Sequence, residues 1–248
     1  MRVLVTGAPT VVITGASRGL GRGCALAFAA RGAEVLLVAR NAAQLEAVAV
    51  EIRDQGGSAR TVAGDVTRDE VVQQVFAGLE RCDVLINNAG TNHPRPFLEV
   101  DSATLDELLS LNVRSMFVTA QAAARVMARV RSGVIINMSS QMGHVGAINR
   151  TVYCMTKHAI EGLTKAMAVE LGPLGIRVNA VAPTYIETPM TRPFLASAAF
   201  RDEVLQKIPL GRIGTIDEVV AAVTFLASPA ASLITGASLL ADGGYTAQ

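Results

Sequence analysis

Eight residues near the start, Thr14-Gly15-Ala16-Ser17-Arg18-Gly19-Leu20-Gly21, follow the short apolar run Val11-Val12-Ile13 and precede an alanine-rich stretch. The run has the length of a buried strand, and residues 22–30 read as a helix ending near Gly32. Gly15 lets the chain turn tightly, while Gly19 and Gly21 permit close backbone approach and close packing of helix on strand. Free N–H groups at the start of a helix attract anions, so a turn of this kind, in this position, is built to receive a phosphate.

The same alternation runs through the chain. Strands are expected at Glu34–Val38, Thr61–Ala63, Val84–Ile86, Val134–Met138, Arg177–Val181 and Ser238–Leu240. Helices are expected over about 42–55, between the third and fourth strands, and over 102–130, 152–171 and 216–227. Strand-helix alternation predicts an α/β fold, a doubly wound parallel sheet of about seven strands with helices on both faces. No linker, repeat or low-complexity stretch divides it. Residues 1–248 therefore read as one domain, with an irregular insertion at about 184–212. Val5-Thr6-Gly7-Ala8 echoes Ile13-Thr14-Gly15-Ala16 without the glycines that follow, and is taken as an N-terminal extension.

Half the residues are hydrophobic and 4% are aromatic, which suits a core of Ala, Val, Leu and Ile around parallel strands. A net charge of +1, dispersed along the chain, gives no reason to expect nucleic acid or a membrane surface as partner. The apolar N-terminus is interrupted at Thr6-Gly7 and Pro9, short of a membrane span, and has no basic start before a small-residue cleavage site. Cys24, Cys82 and Cys154 form no Cys-x-x-Cys pair, and His93, His144 and His158 show no ligand spacing. A cytoplasmic protein with no structural metal is expected.

The end of the second strand sets the kind of nucleotide that the glycine-rich turn receives. An acidic residue there would bond a free ribose 2′-hydroxyl. Ala39-Arg40 stands there instead, and Arg18 lies in the turn, so two guanidinium groups are available to clamp a 2′-phosphate. NADP(H) is accordingly expected over NAD(H); the competing use of Arg40 is a surface pair with Glu46. Asp65, after the third strand, and Asn87-Asn88-Ala89-Gly90, after the fourth, lie where strand ends meet a ligand crevice.

Tyr153 and Lys157 stand four residues apart in a chain with three tyrosines, so they share one helix face. Ser140 ends the fifth strand. A free tyrosine has a pKa near 10, too high for an efficient base at neutral pH. An ammonium group beside it, with the charge of an oxidised nicotinamide, favours the phenolate, and Ser140 is placed to donate a hydrogen bond to a carbonyl oxygen.

Taken in order, Thr14-Gly-x-x-x-Gly-x-Gly, Asn87-Asn-Ala-Gly, Asn112, Ser140, Tyr153-x-x-x-Lys157, Asn179 before Pro183, and Asp242-Gly-Gly resemble the short-chain dehydrogenase/reductase family in its compact form. The resemblance implies a Rossmann fold, carbonyl–alcohol interconversion by hydride transfer, and Asn112, Ser140, Tyr153 and Lys157 as catalytic residues, Asn112 supporting a proton-supplying water chain. It implies cofactor contacts at Gly15, Ser17, Arg18, Gly19, Leu20, Gly21, Arg40, Asp65, Val66, Asn87, Ala89 and Gly90. It implies further contacts at Tyr153, Lys157, Pro183, Ile186 and Thr188. Pro183-Thr184 replaces the family's usual Pro-Gly.

Three loops, 91–97, 141–150 and 184–212, leave the ligand end. They carry Asn92, His93, Arg95, Gln141, His144, Asn149, Arg150 and Glu187, polar enough for a sugar acid or polyol. The alternative substrate is a 3-oxoacyl group on an acidic carrier protein, with Arg129 and Arg131 as its docking residues; Leu174 stands where such reductases place an arginine. A non-catalytic NADP(H)-sensing regulator would have lost the tyrosine or lysine. The resemblance also implies a homotetramer through apolar faces of residues 104–127 and 152–171. The ending Asp242 to Gln248 resembles relatives that hold Mg²⁺ at the terminal residue, but no metal is assigned.

Overall fold

The computed structural model describes residues 8–248; the echo at Val5–Gly7 lies outside them. Three strand-helix units come first: β1 (Thr10–Thr14) and α1 (Gly19–Ala29), β2 (Glu34–Ala39) and α2 (Ala42–Asp54), β3 (Ser58–Ala63) and α3 (Asp69–Phe76). β4 (Val84–Asn87) then leads to α4 (Ser102–Leu109) and α5 (Ser115–Val130), followed by β5 (Gly133–Met138), α6 (Thr151–Leu171) and β6 (Ile176–Pro183). Two short helices, α7 (Arg192–Leu195) and α8 (Ala198–Gln206), precede α9 (Ile216–Ala227) and β7 (Ser238–Ala241).

All seven strands pair in parallel in the order β3-β2-β1-β4-β5-β6-β7. The chain winds outward from β1 to β3, then crosses to β4 on the other side of β1. That reversal parts the connections above β1 and β4 and leaves a crevice at their carboxyl ends. The inner strands are apolar on both faces because helices cover both. Phe28, Leu45, Ile52 and Val223 from α1, α2 and α9 pack on one side; Val72, Ala123 and Met127 from α3 and α5, with Ala168 of α6, pack on the other. Full burial of one such large apolar side chain stabilises by about 1.5–3 kcal/mol.

Three expectations are corrected. The helix expected over 102–130 is interrupted at Ser110–Arg114 by a wider π turn, which swings the buried Asn112 toward the loop after β4. β3 begins at Ser58 rather than Thr61; as an edge strand it carries exposed polar residues that hide its start. The insertion at 184–212 is not wholly irregular, since α7 and α8 lie within it.

Candidate active site

The crevice over β1 and β4 is a cleft of about 380 Å³ whose floor is the glycine-rich turn. Gly15 has φ +66°, and a Cβ there would lie 2.8 Å from Asn88 Nδ2. A Cβ on Gly21 would collide with the Gly15 carbonyl oxygen, which explains how close α1 sits to β1. α1 starts with no side-chain cap, as do α3, α6 and α7, and its first residues Gly19 and Leu20 line the cleft. Its first N–H groups are thus left for an anion in the cleft.

Gly15, Ser17, Arg18, Gly19 and Leu20 line the cleft, as do Arg40, Asp65, Val66, Ala89, Gly90 and Thr188. Arg40 is exposed, and its alternative partner Glu46 is taken by Arg53 at 2.7 Å. Other expected contacts lie elsewhere. Asn87 is fully buried and its amide donates to the Met116 carbonyl and Asn137 Oδ1, so its side chain serves the sheet. The neighbouring Asn88 faces the cleft instead, bonded to Thr14 and Gly15. Gly21 packs beneath the turn. Pro183 ends β6, and the Ile186 carbonyl accepts a hydrogen bond from Thr191 Oγ1, so neither forms the cleft lining. Asn41, Gln44, Leu111 and Met190 line it unexpectedly; only Asn88, inside a quoted motif, had any signal in the sequence.

Ser140, Tyr153 and Lys157 meet at the end of β5. Lys157 Nζ donates to the Met138 carbonyl at 2.8 Å and lies 5.5 Å from the Tyr153 ring centre. Ser140 is extended, and its hydroxyl accepts from Met142 N–H. Gly90 joins this group to the cleft: a Cβ there would stand 3.2 Å from Asn112 Oδ1 and 3.9 Å from Lys157 Nζ. Asn112 does not bond within its own helix. Its amide accepts from Thr91 N–H, donates to the Thr91 carbonyl, both at 2.9 Å, and donates to Thr156 Oγ1 at 3.2 Å. It ties the loop after β4 to the turn of α6 that carries Lys157.

The electrostatics differ from the sequence argument. Burial pushes the Tyr153 hydroxyl up to about 12, against the downward pull of the Ser140 hydroxyl. Burial also holds Lys157 down to about 8, opposed by the Glu161 carboxylate. In the protein alone, desolvation therefore outweighs the charge argument. Glu161, one turn beyond Lys157, is itself buried; it accepts from Ser238 Oγ at 3.0 Å and lies 3.3 Å from His144 Nε2. The four-residue spacing places Glu161 on the face of Lys157, but Ser238 and His144 come from distant parts of the chain.

Among the loop residues, His93 pairs with Glu107, Arg95 with Asp101 and Glu187 with Arg192. Asn149 takes a left-handed φ of 58°, and its carbonyl accepts from Arg95 N–H. Asn92 Oδ1 and Gln141 Oε1 are buried without a partner. Arg150 is buried beside Tyr153 and stacks over Phe194. Arg129 and Arg131 lie at the C-terminal end of α5. In a parallel sheet that is the end opposite the cleft, and Arg131 donates to the Pro173 carbonyl. They are not beside the site mouth.

Among the described residues no helix is long and apolar enough to cross a membrane. The family model described as "Enoyl-(Acyl carrier protein) reductase" matches residues 15–246. L-xylulose reductase of Bos taurus is 40% identical over 237 residues, covering 95% of this chain and 96% of that one. Gluconate 5-dehydrogenase of Gluconobacter oxydans is 38% identical, covering 95% of this chain and 93% of that one. The crystal structure of a gluconate 5-dehydrogenase from Burkholderia cenocepacia, in complex with NADP and tartrate, superposes with a TM-score of 0.93 at 33% identity. It covers 98% of this chain and 96% of that one.

Proposed function

The chain belongs to the short-chain dehydrogenase/reductase family and is an NAD(P)-dependent oxidoreductase of alcohol and carbonyl groups; from that premise we propose that it interconverts a secondary alcohol and a ketone on a small polyhydroxylated substrate, with Tyr153 as the general acid/base. One observation carries this reading: the Tyr153 ring faces a buried ammonium group 5.5 Å away, beside Ser140 and next to the glycine-lined cleft. When bound, the nicotinamide accepts or delivers the hydride.

The chain's own residues handle the proton and the geometry. Ser140 holds the substrate oxygen by a hydrogen bond, and Tyr153 takes its proton in oxidation or returns it in reduction. The high pKa of the phenol in the protein alone suits the donor role; the positive charge of the oxidised cofactor would bring it down for the base role. Asn112 fixes Thr91 and Thr156 around this group and supports the supply of protons.

For the cofactor, uncapped α1 receives the pyrophosphate, Arg18 and Arg40 the 2′-phosphate, and Asp65 and Val66 flank the adenine. Ala89, Gly90, Tyr153 and Lys157 would hold the ribose nearest the reaction, and Thr188, which lines the cleft, the carboxamide. The two arginines in one lining favour NADP(H) over NAD(H).

The relatives named for a ketose and a sugar acid favour a polyol or sugar-acid substrate over an acyl group on a carrier protein. So does the position of Arg129 and Arg131 away from the cleft. Residues 8–248 are read as part of one domain with a substrate-loop insertion at about 184–212. Exposed Phe117, Met155 and Val169 on α5 and α6 favour pairing of these faces in a homotetramer. Three unpaired buried cysteines suit the cytoplasm.

The test is turnover of NADP⁺ with aldonates and alditols by the purified protein and by Tyr153→Phe. The variant is expected to bind NADPH, seen by fluorescence titration, while losing at least about a thousandfold in kcat. Residual activity above a tenth of wild type overturns the assignment.

A further inference from the structure

Resting on that oxidoreductase reading, we propose that Arg150 receives a carboxylate of the substrate, so that the preferred substrate is a polyhydroxy acid or its keto form rather than an uncharged polyol.

Arg150 is 8% exposed, an unusual fate for a guanidinium group, since an unpaired buried charge is expensive. Among the described residues no carboxylate forms an ion pair with it. Its side chain makes one long hydrogen bond, Nη1 to the Asn149 carbonyl at 3.3 Å, which leaves most of its five N–H donors unused. The guanidinium carbon lies 5.4 Å from the centre of the Phe194 ring, whose face holds the group in place without supplying an acceptor. A planar fork fixed by stacking, with its donors unpaired, matches the two oxygens of a carboxylate.

Its position fixes what that carboxylate belongs to. Arg150 is the residue immediately before α6, and Tyr153 lies in the first turn of that helix. Burial lowers the Arg150 pKa, while Tyr185, Cys154 and Tyr153, the groups facing it, raise it. None of these carries a negative charge at neutral pH as the free amino acid. No neighbouring anion therefore balances the charge, and little of the side chain meets solvent. A substrate whose reacting carbon meets Tyr153 would bring its own anion to that place. Phe194 belongs to α7 in the insertion, so the same contact ties the insertion to the start of α6.

Gluconate and glucitol test this, because they differ only in a carboxylate against a hydroxymethyl group, with C4 and C5 aldonates and their alditols run beside them. Wild type is expected to prefer the acids. In Arg150→Gln the ratio of kcat/KM for acid over alditol should fall at least about tenfold, chiefly through KM, as for loss of a hydrogen bond to a charged group. Arg150→Lys should restore part of the ratio. Thermal melting of both variants shows that they fold. Equal losses for acid and alditol, mainly in kcat, would show that Arg150 serves only the Tyr153 phenolate and would overturn the proposal. Turnover of alditols alone would also overturn it while leaving the oxidoreductase reading intact. Absence of NADP⁺-dependent turnover with every member of the panel would sink both.

Discussion

Replacing Lys157 by methionine separates the cost of burying the ammonium group from its use. The residue is 4% exposed, and burial brings its pKa from 10.5 to about 8. The difference, about 2.5 units, corresponds to about 3 kcal/mol. The sign follows from proton counting. Above pH 10.5 the amine is neutral in both the folded and the unfolded chain, and the fold suffers no penalty. As the pH falls toward 8, the unfolded chain takes up the proton first, so stability is lost across that window and then levels off. Methionine carries no such proton. Subtracting the variant's stability from the wild type's cancels the titrations common to both. Loss of a cation beside Glu161 displaces the variant's curve as a whole rather than tilting it.

The wild-type-minus-variant difference should therefore rise by about 3 kcal/mol between pH 7.5 and 10.5, or about 6–12 °C in Tm for a chain of this size. Thermal unfolding followed by circular dichroism at constant ionic strength would measure it. The Tyr153 hydroxyl, pushed up to about 12, contributes in the opposite sense only above pH 10, so the scan ends at 10.5. Turnover should be lost at every pH. Parallel curves for the two proteins would refute the claim that the site holds a desolvated ammonium group.

Arg40→Ala should raise KM for NADP(H) by about 10–150-fold, as for loss of a charge-assisted hydrogen bond, with KM for NAD(H) changed less than about threefold. Steady-state kinetics with both cofactors would check it, and equal losses would end the clamp. Gly21→Ala forces a methyl group against the Gly15 carbonyl and should cost about 1–3 kcal/mol in urea unfolding, with NADPH binding weakened in fluorescence titrations. Unchanged binding would mean that the turn is not the phosphate site. Asn112→Ala leaves both polar groups of the Thr91 backbone unpartnered and should cost about 2–5 kcal/mol with a fall in kcat. A loss under about 0.5 kcal/mol would show that water replaces the amide freely.

The sequence made legible what local rules govern. β1, β2, β4, β5 and β6 announce themselves as apolar runs because both faces are covered, and α9 has its expected bounds because Thr215 and Glu218 form a capping box. The glycine-rich turn and the Tyr153–Lys157 pair were readable because each depends on spacing within one element. What escaped depends on partners far along the chain. The π turn at Asn112 exists for a bond to Thr91, and polar β3 is recognisable only by its pairing with β2. The position of Arg129 and Arg131 was implicit in a parallel sheet, yet loop composition alone did not reveal it. The balance between burial and charge at Tyr153 required knowing how deep the phenol sits.

One face of α6 explains where this fold places its costs. Arg150, Tyr153, Lys157 and Glu161 follow one another at spacings of three and four residues, so they stack along a single side of the helix and its first flanking turn. Arg150, Lys157 and Glu161 are buried, and burying charged groups costs more than burying aliphatic residues of similar volume. On the same helix Ile160 and Ala168 are fully or almost fully buried apolar residues, so the helix had ordinary packing available to it. The costly groups are confined to the stretch that faces the end of β5, where Lys157 bonds Met138 and Glu161 bonds Ser238. Such a distribution is what a reaction needs when it must hold a proton donor, a cation and an anion receptor away from water. If aliphatic substitutions along this face raised stability without lowering turnover, the face would be a packing accident and the site would have to be sought elsewhere.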